Sequence, residues 1–206
     1  MAAALGADAV GFVFAPSPRQ VTVGTVRDIT RRLPPNLVTV GVFRDQEPRF
    51  VIDTLLGAGL RAAQLHGHET ADDAAAIRPY CQALIVALSA GESRWEAVAD
   101  YGADAVLVDG PSPGSGRVFD WSVVEGAPAS GRLILAGGLT PDNVGEAVRS
   151  VHPWGVDTSS GVQVDGDPTR KDPRRVQAFI RAARAAAPEP HHASGHGPFD
   201  WAEDGL

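Results

Sequence analysis

Short aliphatic or β-branched runs alternate with longer Ala-, Arg- and Glu-bearing segments along most of the chain, and that alternation predicts the architecture. The runs lie at residues 9–14, 37–43, 62–65, 84–88, 105–108, 133–135 and 156–158. They are apolar on consecutive positions, which suits strands buried on both faces. Segments of helical length separate most of them, at 23–32, 49–56, 71–78, 95–100 and 143–150. Strand and helix in strict alternation predict parallel βα units, an α/β fold closing as a barrel.

A weak internal repeat fits this pattern. Gly6-Ala7-Asp8-Ala9-Val10 recurs as Gly102-Ala103-Asp104-Ala105-Val106, and Gly59-Leu60-Arg61-Ala62-Ala63 and Gly155-Val156-Asp157-Thr158 share its form. In each copy a glycine just past a helix is expected to end it in the left-handed conformation, after which the chain enters a strand. The copies fall on alternate strands, as the layers of an eightfold barrel would require.

Polar residues gather just after the strands rather than before them. Ser17 and Arg19 follow the first, Arg44 and Asp45 the second, His66 the third, Ser89 the fourth, Asp109 the fifth, Gly137-Gly138 the sixth and Ser159-Ser160 the seventh. In a parallel barrel these loops share one mouth, where chemistry resides. Two of them are glycine- or serine-rich turns close together in the stretch 132–161: Gly137-Gly138, followed by Thr140-Pro141-Asp142-Asn143 as a helix start, and Ser159-Ser160-Gly161. Glycines let backbone N–H groups approach an anion, and a following helix N-terminus adds partial positive charge. Together the two turns can grip one phosphate.

Composition narrows the function classes. The 206 residues are 44% hydrophobic, enough for one domain with a sizeable core, and the net charge of −7 offers no field for nucleic acid or an anionic membrane. An anionic ligand must therefore be held by local geometry. A single cysteine, Cys81, excludes an internal disulfide and suits a reducing, cytoplasmic location. No run approaches membrane-spanning length. From residue 188 to 206 the chain lacks periodicity and reads as a flexible tail after a domain at 1–187. Its His191, His192 and His196 have no structural frame to hold a metal, and no metal is expected.

Seven strands are one short of the eight that such a barrel uses in about 250 residues. Residues 1–6 read as the last turn and cap of a helix. The expectation is therefore an incomplete barrel, with one strand and most of one helix lying upstream, and with poor stability because strand edges would be unpaired.

Several strings, taken in order, resemble the phosphoribosylanthranilate isomerase family. They are Gly11-Phe12-Val13-Phe14 with Ser17-Pro18-Arg19, Val40-Gly41-Val42-Phe43, Gln64-Leu65-His66-Gly67, Leu107-Val108-Asp109, Phe119-Asp120-Trp121, Leu135-Ala136-Gly137-Gly138-Leu139 with Asn143-Val144, Val156-Asp157 with Ser159-Ser160-Gly161-Val162, and Lys171-Asp172. The resemblance implies an eightfold βα barrel of the TIM type. It also implies an Amadori rearrangement of a phosphosugar in tryptophan biosynthesis, an aldose-to-ketose isomerisation that needs an acid at the ring oxygen and a base at C2 but no cofactor. Asp109 matches the family's general acid, a role that calls for surroundings raising its pKa. Arg19 matches the arginine that holds the anthranilate carboxylate with its planar fork. Gly137, Gly138, Ser160 and Gly161 match the phosphate turns. His66 is either a structural histidine or a ligand contact, and Asp120-Trp121 would close and pack a loop.

The chain departs from the family pattern in two places. Gln163 stands where glutamate is common. The family's basic cysteine, which ends its first strand, has no counterpart here, so impaired activity is expected. Cys81 precedes the fourth strand and should lie at the opposite, N-terminal end of the barrel. The alternatives are a non-catalytic phosphosugar-binding relative or another phosphate-binding barrel isomerase or epimerase.

Overall fold

The computed structural model describes residues 1–89, 98–110 and 132–188. Seven strands form one parallel sheet in chain order: β1 Ala9–Val13, β2 Val38–Phe43, β3 Ala62–Leu65, β4 Ala83–Ser89, β5 Ala105–Asp109, β6 Arg132–Ala136 and β7 Gly155–Val156. Every neighbouring pair is parallel and consecutive, so each connection crosses back to the same end of the sheet. The predicted runs match these strands within a residue or two. The last is the shortest, with its pairing ending at Val156.

Helices α1 Val23–Thr30, α2 Pro48–Ala58, α3 Ala71–Ile77 and α4 Val144–Val151 occupy the predicted segments, and α5 Pro173–Ala186 follows the seventh strand. Their ends follow capping chemistry. Thr22 and Thr70 accept from the backbone at Thr25 and Asp73, the latter in a reciprocal capping box, and Asp172 accepts from Arg174 and Arg175. Gly6, Gly59 and Gly102 adopt the left-handed conformation expected of them. The fourth copy of the repeat differs. His152 takes that conformation after α4, with φ 50°, and Gly155 is the first residue of β7.

Burial follows the period of two. On β4, Leu84, Val86 and Leu88 join the layer beneath the helices with Val26, Val51, Leu55 and Ile77, while Ala83, Ile85 and Ala87 face the concave side with Val38, Val40, Ala62, Ala105 and Leu107. A separate cluster joins Leu135, Val144 and Val148 to Val176 and Phe179 of α5. The two edges of the sheet are β1 and β7. Ala9 and Gly11 of β1 are exposed, whereas every described residue of β3 is buried.

The curl of the sheet carries its first and last strands' flanks together. Below β1, Arg184 of α5 donates to the Gly6 carbonyl at 2.6 Å and to Asp8 at 3.2 Å. Above β1, Arg19 reaches a two-stranded antiparallel ribbon, β8 Gln163–Val164 and β9 Asp167–Lys171, through Gln163 and Pro168. Phe119-Asp120-Trp121 and the tail beyond residue 188 lie outside the described residues, as does the first half of the predicted helix at 95–100.

Candidate active site

The pleat that buries aliphatic side chains also aims the polar ones. On β3 the concave positions run Ala62, Gln64 and then, past its end, His66; on β5 they run Ala105, Leu107 and Asp109; Gly155 of β7 is followed, past its end, by Asp157. At the C-terminal ends of alternate strands the apolar series therefore gives way to an amide, an imidazole and two carboxylates. His66 Nε2 lies 3.4 Å from Asp109 Oδ2, and His66 Nδ1 is 3.0 Å from Gln64 Nε2. If the Gln64 amide donates to Nδ1, the neutral ring carries its proton on Nε2, the nitrogen nearest Asp109.

Asp157 stays in contact with solvent through the mouth, yet protein crowds its carboxyl closely. That loss of hydration, then the neighbouring Asp109 carboxylate, push its pKa above the usual carboxylate range, while Lys171 and His66 oppose the rise.

The turn after β6 is built directly on the end of β5. Gly137 and Gly138 have φ of 85° and 66°, conformations that a side chain would strain. A Cβ at Gly137 would also meet the Gly110 backbone and stand 2.7 Å from Asp109 Oδ1. Asn143 braces this turn from behind, donating to the Gly138 carbonyl at 3.0 Å and accepting from Thr140 N at 2.7 Å. The regular helix starts at Val144, one residue later than the sequence predicts.

The turn after β7 interlocks with it. Thr158 Oγ1 donates to the Leu139 carbonyl at 2.7 Å, and the same carbonyl fills the space that a Cβ at Gly161 would need. Residues Ser160–Val162 then wind into a short 3₁₀ turn. Asp109, Gly137, Leu139 and Gly161 thus form one continuous chain of contacts, with Ser160 beside it.

Arg19 is presented by a closed loop. Val21 N returns to the Val13 carbonyl, Gln20 N bonds to Ser17 O, and Ser17 Oγ accepts from Arg19 N. Its side chain is half-buried, with Nε donating to Pro168 O and Nη2 to Gln163 Oε1, both at 3.0 Å. Lys171 sits close by and donates to Ser159 O at 2.7 Å and Oγ at 2.9 Å. Partial burial, then the positive charge of Arg19, hold the Lys171 ammonium below its ordinary pKa, and Asp157 counters them.

All six residues singled out from the sequence, Arg19, Asp109, Gly137, Gly138, Ser160 and Gly161, lie at this one end of the sheet. Asp157 and Lys171 join them, though the sequence assigns neither a role; both stand in strings that carry the resemblance, Val156-Asp157 and Lys171-Asp172, which was the available signal. Cys81 does not join them. It precedes β4 at the other end, where its thiol lies 3.7 Å from Arg78 O, and burial pushes its pKa up. Among the described residues no group of three His, Cys, Asp or Glu side chains is arranged to hold a metal, and no helix is long and apolar enough to cross a membrane.

Comparison with known proteins points to one family. The family model described as N-(5'-phosphoribosyl)anthranilate (PRA) isomerase matches residues 1–182. The N-(5'-phosphoribosyl)anthranilate isomerase of Desulforudis audaxviator is 43% identical over 188 residues, spanning 88% of this chain and 89% of that protein. The crystal structure of phosphoribosyl anthranilate isomerase from Thermus thermophilus superposes with a TM-score of 0.78 at 38% identity, over 89% of this chain and 91% of that one. A third relative, phosphoribosyl anthranilate isomerase in complex with reduced 1-(o-carboxyphenylamino)-1-deoxyribulose 5-phosphate, gives a TM-score of 0.77 at 35% identity, over 89% and 91% of the two chains.

Proposed function

The chain belongs to the N-(5'-phosphoribosyl)anthranilate isomerase family, and from that premise we propose that its mouth binds N-(5'-phosphoribosyl)anthranilate and is built for the Amadori rearrangement to 1-(o-carboxyphenylamino)-1-deoxyribulose 5-phosphate. The observation that carries this reading is the interlock of the Gly137 and Gly161 turns directly beside Asp109. Gly137, Gly138, Ser160 and Gly161 take the phosphate, and Arg19 takes the anthranilate carboxylate. Asp109, in its protonated form, serves as general acid and gives that proton to the ring oxygen while the C1–O bond breaks and the nitrogen lone pair forms an iminium. A base then removes the C2 proton, and the enolamine tautomerises to the amino ketone. The chemistry needs no metal or organic cofactor. The single cysteine supports a cytoplasmic setting.

One observation favours a weaker variant of this reading. No thiol stands at the mouth among the described residues, and Cys81 lies a strand length away. A phosphosugar binder with slow turnover in the present chain follows from that placement. Steady-state assay with phosphoribosylanthranilate, beside calorimetry with the reduced product analogue, separates the two. Tight binding with turnover about 10²- to 10⁴-fold below a complete acid–base pair supports the weaker variant. Absence of any saturable binding rejects both.

A further inference from the structure

None of the ribbon residues Gln163, Val164 and Asp167–Lys171 belongs to the three apolar clusters, yet the ribbon is fastened firmly. Arg175 of α5 donates to Gln163 O at 2.8 Å and to both carboxylate oxygens of Asp165 at 2.8 Å, and Asp172 N donates to Val162 O at 2.8 Å. A rigid polar ribbon that packs no core has another task.

Its two cross-strand partners point to opposite ends of the candidate site. Gln163 and Lys171 face each other in the β8–β9 register. Gln163 Oε1 and Pro168 O hold Nη2 and Nε of Arg19, one edge of the guanidinium. The bonds to Gln163 and Pro168 use Nε and Nη2, so among the described residues Nη1 is the nitrogen left for a ligand carboxylate. Gln163 acts through its acceptor oxygen, which fixes where the Arg19 guanidinium lies. Lys171, on the other strand, grips both the carbonyl and the hydroxyl of Ser159, at the entrance to the Ser160-Gly161 turn. Two cations are thereby held near each other in a half-buried setting, an arrangement that an anion between or beside them relieves.

We propose that Gln163 and Lys171 are positioning residues that set the spacing between the arginine end and the phosphate-turn end of the site, selecting ligands that carry an aromatic carboxylate and a sugar phosphate together. This rests on the function proposed above. Joining two anions in one ligand turns the second contact into an intramolecular one, whose worth depends on the site matching the ligand's span. Loosening the ribbon's grip therefore costs the joint ligand more than a ligand with one anion.

Calorimetry on the full chain with reduced 1-(o-carboxyphenylamino)-1-deoxyribulose 5-phosphate and with ribulose 5-phosphate tests this. In Gln163→Leu and in Lys171→Met the ratio of the two affinities falls about tenfold or more, as loss of a hydrogen bond to a charged group predicts. Gln163→Glu, which keeps an acceptor for Arg19, returns the ratio to within about threefold of the unaltered chain. Equal losses for both ligands, or an unchanged ratio, overturn the proposal and assign the ribbon a merely structural part. Should the Leu or Met variant fail to fold, Lys171→Arg and Gln163→Glu against Gln163→Asn give the same comparison. If the unaltered chain binds neither ligand, the reading of the site falls and this one with it; if it binds both and the ratio does not move, only this one falls.

Discussion

The carbonyl oxygen of Leu139 occupies the space that a side chain at Gly161 would need, and it accepts a hydrogen bond from Thr158 Oγ1 at 2.7 Å. Two loops separated by a whole βα unit thus share one oxygen. Replacing Gly161 by alanine should part them, destabilising the protein by about 1–3 kcal/mol. Urea unfolding measures that cost. Calorimetry should show ribulose 5-phosphate affinity reduced at least about tenfold, since the turns no longer converge.

Asp109 and Asp157 are electrostatically linked, and one substitution reads both. Asp109→Asn should lower turnover by about 10²- to 10⁴-fold if Asp109 is the general acid. It should also bring the Asp157 titration down toward the ordinary carboxylate value, because one of the two causes raising it is gone. Carbon-13 titration of the carboxyl resonances follows this shift directly.

Asp157 also predicts a pH dependence of stability. Between the unfolded value of 3.8 and its raised folded value, the folded chain holds a proton on Asp157 that the unfolded chain has lost. Stability contributed by this group therefore falls as pH rises through that window. The exposed Asp45, Asp165 and Asp167, whose pKa values are lowered, act with the opposite sign. Comparing melting temperatures of the unaltered chain and Asp157→Asn across pH cancels their effect. The variant should gain relative stability as pH rises above 3.8 and hold a constant advantage above the folded value.

Cys81 should be irrelevant to ligand binding. Cys81→Ala is expected to leave analogue affinity within about twofold, and the native thiol should alkylate more slowly than free cysteine at neutral pH because burial disfavours its thiolate. Rapid alkylation prevented by bound ligand would place the thiol at the mouth, against the structure.

The central strands were legible because burial on both faces leaves unbroken aliphatic runs, as at Ala83–Ser89. The conformations of Gly6, Gly59 and Gly102 were legible for a similar reason: a glycine before a strand has few other uses. Helix α5 escaped because its Ala- and Arg-rich sequence, entered through Pro173, carries only two buried side chains, Val176 and Phe179. The β8–β9 ribbon escaped because its short, polar strands have no hydrophobic period. The pairing of His66 with Asp109, and the convergence of Arg19, Gln163 and Lys171, arise only when distant segments are folded together. At the site, the glycine turns announced themselves by composition, whereas Asp157 and Lys171 acquire meaning from their neighbours.

The most direct test of the proposed site is titration of nitrogen-15-labelled protein with reduced 1-(o-carboxyphenylamino)-1-deoxyribulose 5-phosphate, followed by amide chemical shifts. Saturable shifts should concentrate at Asp109, Gly110, Gly137, Gly138, Ser160 and Gly161, with the Arg19 loop and the Gln163 and Lys171 ribbon responding together. Shifts centred instead on Tyr80 and Cys81 at the other end of the sheet, or no saturable change at the paired turns, would contradict it.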